Sequence, residues 1–175
     1  YNDGLLVIDR SRIVNNSASV SGGGIANFGT LRISHSTIAG NTSPGNGAGI
    51  VNGGRMTITA SMFFGNYAKG RGGAIYHSVG TFVLTASSVT NNRADFAGGG
   101  IANFDRMIIT GSTVSANKTA GAGGGVLNGG QMTLMNLTMT SNRASDGDSY
   151  YNAGTLVMGS ANLVGSASSV NCTNW

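Results

Sequence analysis

The side chains able to do chemistry are few, and their spacing sets the first question. Six aspartates, ten lysines and arginines and two histidines carry all the side-chain charge of 175 residues. Calcium binding, or acid and base work on a polysaccharide, needs clustered carboxylates with a basic group beside the sugar. Asp3, Asp9, Asp95, Asp105, Asp146 and Asp148 are scattered instead. Asp9, Arg10 and His35 come nearest to such a cluster, and a polar, solvated end of the molecule is the alternative reading. The other signal is basic. Arg93, Lys118 and Arg143 stand 25 residues apart, so a fold with that period stacks three cations in one column, where like charges repel. Ser17, Thr42 and Tyr67 precede them in it. Such a column either serves an anionic glycan or a phosphate-bearing surface polymer, or splays into water with Asp95 and Asp146 as partial balance. No catalytic residue, metal site or cofactor is expected.

The period recurs throughout the chain, and it defines the elements that hold these residues. Asn16, Asn41, Asn66, Asn92, Asn117 and Asn142 follow at intervals of 25, 25, 26, 25 and 25. A second series, Asn2, Asn27, Asn52, Asn103, Asn128 and Asn152, keeps nearly the same beat, with His77-Ser78 where the fourth asparagine would stand. Apolar residues keep time with both. Leu6, Leu31, Met56, Phe82, Met107, Met132 and Leu156 form one column, and Ile8, Ile33, Ile58, Leu84, Ile109, Leu134 and Met158 form another two residues on. A spacing of two is the strand period. Further columns start at Ile13 and Ile25, so each repeat reads as three short strands.

A unit this short cannot bury its apolar face alone, whereas units stacked in register bury one continuous column. The expected fold is all-β: a right-handed, single-stranded parallel β-helix of about seven coils over residues 1–164, with 165–175 an irregular segment or partial cap. Strands about 4.8 Å apart make this a rod on the order of 30 Å long. The asparagines are expected to turn corners in the left-handed conformation and to bond along the rod as a ladder. Ser11, Ser36, Ser61, Ser87 and Ser112 are expected where the coil is narrow, and Met56, Met107 and Met132 as core filler.

Thirty glycines, one proline and scarcely any of the best exposed helix formers argue against helices. The formal net charge of +4 is spread too thinly for a nucleic-acid footprint, so no nucleic acid is expected. No apolar run is long enough to span a membrane, and no signal-peptide pattern opens the chain. The single cysteine, Cys172, is free or paired outside the chain.

"FFGN" at Phe63 to Asn66, followed by "GGAIY" at Gly72 to Tyr76, resembles the paired FxxN and GGAI repeats of the polymorphic outer membrane proteins, bacterial surface adhesins of the autotransporter type. The other coils match in relaxed form, and many secreted pectin-lyase-like proteins share such repeats. The resemblance implies a parallel β-helix that is secreted or exposed on a bacterial cell surface. The expected function is a non-catalytic structural and adhesion module whose partners are surface glycans, further coils of a longer chain, or copies of itself. One alternative is a subunit that stacks head to tail into an extracellular filament, because the chain starts inside a coil without a capping helix. The other is a pectin-lyase-like carbohydrate-binding or carbohydrate-active protein. Thr57, Thr59, Thr85, Thr110 and Thr133 recur on outward positions, but the array is too interrupted to favour ice binding. The N-x-Ser/Thr matches at Asn15, Asn41, Asn117, Asn136 and Asn171 are largely by-products of the repeat, with Asn41 and Asn117 facing inward.

Overall fold

The computed structural model describes residues 1–169 and the short strand Thr173–Asn174. Strands form wherever apolar residues alternate with threonine, serine or arginine, because β-branched and aliphatic side chains fit a pleated surface buried on one side. All strand pairs are parallel, and each strand bonds to its counterpart one repeat away. The first sheet carries the five-residue strands Leu5–Asp9, Thr30–Ser34, Arg55–Thr59, Thr81–Thr85, Arg106–Thr110 and Gln131–Met135, then Thr155–Met158 and Thr173–Asn174. The second runs from Arg12–Val14 to Ala161–Leu163, and another from Ile25–Asn27 to Ala167–Ser169. Within 165–175, Ala167–Ser169 and Thr173–Asn174 extend these sheets. Asn171, Cys172 and Trp175 lie outside the described residues.

The register stacks like on like. Leu31 pairs with Met56, Met56 with Phe82, Phe82 with Met107 and Met107 with Met132, and all five are essentially free of solvent contact. Ile38, Phe63, Val89, Val114 and Met139 of the second sheet, and Ile50, Ile75, Ile101 and Val126 of the sheet that starts at Ile25, close the core from the other sides. Burying a side chain of this size contributes about 1.5–3 kcal/mol, so one column of five outweighs any single polar contact on the rod.

Each middle repeat has four strands, not three. The additional sheet consists of the two-residue strands Thr42–Ser43, Tyr67–Ala68, Arg93–Ala94 and Lys118–Thr119. It leaves no apolar period, because its inward residues are Ser43, Ala68, Ala94 and Thr119, small enough for a narrow wall.

The asparagine ladder forms, but the left-handed corner falls one residue earlier than expected. Asn15, Gly40, Gly65, Asn91, Ala116 and Ser141 have positive φ; the ladder asparagines that follow them do not. The turn aims each amide inward. Asn66 Nδ2 then donates to Asn92 Oδ1 at 2.9 Å and to the Ile38 carbonyl at 3.0 Å, while its Oδ1 accepts from the backbone N–H and Nδ2 of Asn41, both at 3.0 Å. The serine column is a second ladder and not merely a narrow place. Ser61 Oγ accepts the backbone N–H of Ser36 at 3.1 Å and donates to the Thr59 carbonyl at 2.8 Å, and Ser36, Ser87 and Ser112 repeat the arrangement.

The second asparagine series runs from Asn2 through Asn27 to Asn52 and from Asn103 through Asn128 to Asn152. His77 interrupts it. Asn52 Nδ2 donates to His77 Nδ1 at 2.8 Å, which leaves the ring proton on Nε2, 3.2 Å from the Gly80 carbonyl. Elsewhere the asparagine amide reaches the carbonyl two residues on, as from Asn52 to Gly54. The turn after His77 holds one more residue, since Met56 pairs with Phe82 across 26 positions, and the longer imidazole reaches the more distant carbonyl. The ring gives no donor to Asn103, whose Oδ1 is buried without a hydrogen-bond partner; in the next coil it addresses the Arg106 carbonyl instead. Burial holds the His77 pKa below 6.5.

Candidate functional site

The basic column assembles on the additional sheet. Ser17, Thr42, Tyr67, Arg93, Lys118 and Arg143 are cross-strand neighbours in that order, and the three cations are exposed. Their environments differ. Arg93 Nη2 donates to Asp95 Oδ1 at 2.9 Å, and its guanidinium lies 5.1 Å from the centre of the Tyr67 ring. Tyr67 also donates its hydroxyl to Asp95 Oδ2. The tyrosine hydroxyl, and then Arg93, hold the Asp95 carboxyl below the usual carboxylate range, and the same carboxylate raises the Tyr67 hydroxyl. Asp95 therefore fastens one side of Arg93, as the sequence anticipates. Asp146 makes no ion pair among the described residues; Asp148 is the acid that feels Arg143, and it is held below the usual range first by the Ala144 backbone N–H and then by Ser166.

Lys118 and Arg143 have no ion-pair partner among the described residues. Two unpaired cations in consecutive coils therefore adjoin one that is oriented by a carboxylate and an aromatic ring. A shallow cavity of about 210 Å³, lined by Ser17, Thr42, Ser43, Pro44, Tyr67 and Lys69, continues this face toward earlier coils. The arrangement offers point-charge attraction to a repeating anion, with hydroxyls beside it for hydrogen bonding.

Asp9, Arg10 and His35 also meet. Arg10 Nη1 is 2.9 Å from Asp9 Oδ2, while Ser34 Oγ and His35 Nδ1 lie 2.7 and 3.2 Å from Asp9 Oδ1. Ser34 and His35 lower the Asp9 pKa. Serine and histidine both address the carboxylate and not each other, so the group is not arranged as a serine–histidine pair. Arg10 and His35 have positive φ, the corner conformation that precedes each serine of the ladder.

The asparagine series expected to be structural is consumed within the rod. Asn41, Asn66, Asn92, Asn117, Asn27, Asn52, Asn103 and Asn128 are buried, as is Asn142, while Asn16 is exposed at the end of its ladder. Asn41 and Asn117 thus face inward, whereas Asn15 and Asn136 are exposed. The Tyr67 to Asp95 bond was not legible in the sequence, since the two residues lie 28 apart in different columns.

No group of three or more His, Cys, Asp or Glu side chains among the described residues is placed to hold a metal ion, and no helix among them is long and apolar enough to cross a membrane. Residues 61–78 match the Chlamydia polymorphic membrane protein repeat. No curated protein and no solved structure matches the chain. The matched stretch contains Phe63, Asn66 and the Gly72 to Tyr76 segment; Phe63 fills the core, Asn66 bonds in the ladder and Ile75 lines the adjacent wall. The chain is a parallel β-solenoid that carries a repeat of the Chlamydia polymorphic membrane protein type.

Proposed function

We propose that the chain is a non-catalytic module of a secreted or cell-surface protein, serving structure and adhesion through side chains displayed on a rigid rod. The observation that carries this reading is the in-register column Arg93, Lys118 and Arg143, two members of which have no ion-pair partner among the described residues. The matched repeat, from proteins described as membrane proteins, supports the surface location. The conspicuous inward polar residues are occupied in ladders, so the outward faces are left for recognition. The ligand class is a polymer with regularly spaced anionic groups, such as an acidic surface glycan, because the cations recur at the strand spacing of about 4.8 Å.

Binding of the purified chain to surfaces coated with a sulfated polysaccharide, compared with a neutral one, tests this. The triple replacement Arg93→Gln, Lys118→Gln, Arg143→Gln is expected to remove most of the sulfate-dependent binding, and added salt to weaken what the native chain shows. Native binding that is indifferent to both would refute the adhesion surface. Long uniform fibres by negative-stain imaging would favour head-to-tail assembly instead.

A further inference from the structure

Around the corner from the basic column lies a second cluster, built from residues that depart from the repeat. Arg71 stands in a column whose register neighbour is Ala97 and whose other members include Ala122 and Asp146. Its guanidinium carbon lies 4.4 Å from the centre of the Phe96 ring and 5.8 Å from that of Phe104. Tyr76 continues the row, its ring 5.5 Å from that of Phe104. Phe96 is 61% exposed and Phe104 38%, so the rings form a surface and not a core. Phe96 has Gly70 and Gly121 as its backbone neighbours in the two flanking coils, and no side chain covers it from those positions.

Arg71 is half-buried, yet its side chain makes no ion pair or hydrogen bond among the described residues; its backbone alone is bonded, the N–H to Asn46 Oδ1 and the carbonyl to the Gly47 N–H. The rings hold the guanidinium by cation–π contact and leave its edge of N–H donors without a partner among the described residues. That edge has the geometry to take a carboxylate or sulfate by two parallel hydrogen bonds. The flanking rings offer apolar faces, those of Tyr76 and Phe104 tilted 45° to each other. A peptide has no strand edge to join here, because the strands Ile75–His77 and Ile101–Asn103 are paired on both sides. Recognition therefore falls to side chains alone. A pyranose carrying an acidic group supplies both complements, a C–H face for the rings and an anion for the guanidinium.

The geometry points to Arg71, Tyr76, Phe96 and Phe104 as a subsite for one acidic sugar of a glycan. This inference deepens the adhesion reading above by naming where a sugar ring is held; the basic column supplies attraction along the rod and this platform supplies fit.

The test uses the full chain with a heparin-derived hexasaccharide and, as the uncharged control, cellohexaose. Calorimetry is expected to show hexasaccharide binding that weakens about tenfold in Arg71→Gln and in Phe96→Ala/Phe104→Ala, the scale of one lost charge-assisted contact. Arg71→Lys is expected to recover only part, since the planar fork is gone. Saturating the aromatic protons is expected to transfer magnetisation to sugar ring protons in the native chain and markedly less in the double phenylalanine variant, which keeps Tyr76. Circular dichroism confirms that each variant is folded. No hexasaccharide binding, equal binding of cellohexaose, or an affinity unchanged in Arg71→Gln would overturn the subsite. Loss of affinity in the triple column variant alone would also overturn it while leaving the adhesion reading intact. Hexasaccharide binding that depends on Arg71, without adhesion to the coated surface, would uphold the subsite and count against the column.

Discussion

Replacing Asn66 by alanine tests whether the buried ladder, and not only the apolar column, holds the coils together. Asn66 makes four side-chain hydrogen bonds, two as donor and two as acceptor. Two of its partners keep other contacts: Asn41 Nδ2 still reaches the Ile13 carbonyl, and Asn92 Oδ1 still accepts the backbone N–H of residue 66. Losing those bonds and the one to the Ile38 carbonyl costs about 1 kcal/mol each. The backbone N–H of Asn41 is left buried with no acceptor, at about 1–3 kcal/mol. The total is roughly 4–6 kcal/mol, a large part of the 5–15 kcal/mol typical of a folded domain. Asn16 is the internal control. It is exposed, its side chain donates once, to Asn41 Oδ1 at 3.1 Å, and its backbone N–H keeps that acceptor after replacement. Asn16→Ala should therefore cost less than about 1 kcal/mol. Urea unfolding followed by circular dichroism measures both, with the slope checked for a change in cooperativity. An Asn66→Ala loss below about 1.5 kcal/mol, or one equal to that of Asn16→Ala, would refute the argument.

Further consequences follow from other residues. The folded pKa of His77 lies below 6.5, so the unfolded chain takes up the proton first. Its contribution to stability should be whole above about 6.5 and decline as the pH falls through the folded value, and urea midpoints from pH 7.5 downward should lose that slope in His77→Gln. Tyr67→Phe removes the largest influence lowering the Asp95 pKa, so carboxyl NMR titration should find Asp95 moved back toward 3.8; no movement would show that Arg93 alone sets it. Ala116 has a φ of 54°, and Ala116→Gly should raise the melting temperature by relieving roughly 1 kcal/mol of left-handed strain. A Cβ on Gly121 would meet the Phe96 carbonyl oxygen, so Gly121→Ala should cost about 1–3 kcal/mol, and an unchanged melting point would show that the corner yields.

Parallel stacking in register makes this fold unusually legible, because residues 25 apart in the chain become neighbours in space. The columns of Leu31, Ile38 and Asn41 could be read from the sequence for that reason, and so could the alignment of Arg93 with Lys118. What escaped depends on size and reach. The additional sheet was hidden because Ser43, Ala68 and Ala94 give no hydrophobic signal. The left-handed corner was misplaced by one residue because asparagine, glycine, alanine and serine all occupy it, the conformation being imposed by the ladder bond that follows. Arg71 with Phe96 and Phe104 was missed because the three belong to different columns, and only the length of the arginine joins them.

The fault at His77 gives the rod a mechanical character that its repeats would not. Along this series amides link coil to coil until the imidazole, which passes nothing to Asn103. Coupling between neighbouring coils sets how a solenoid bears load along its axis, and on this wall the side-chain chain is broken between His77 and Asn103 while the backbone pairing there continues. The contacts of Arg71 with Phe96 and of Tyr76 with Phe104 cross the same junction. The junction where the amide chain breaks is thus bridged on the outer surface of the rod by rings and one guanidinium.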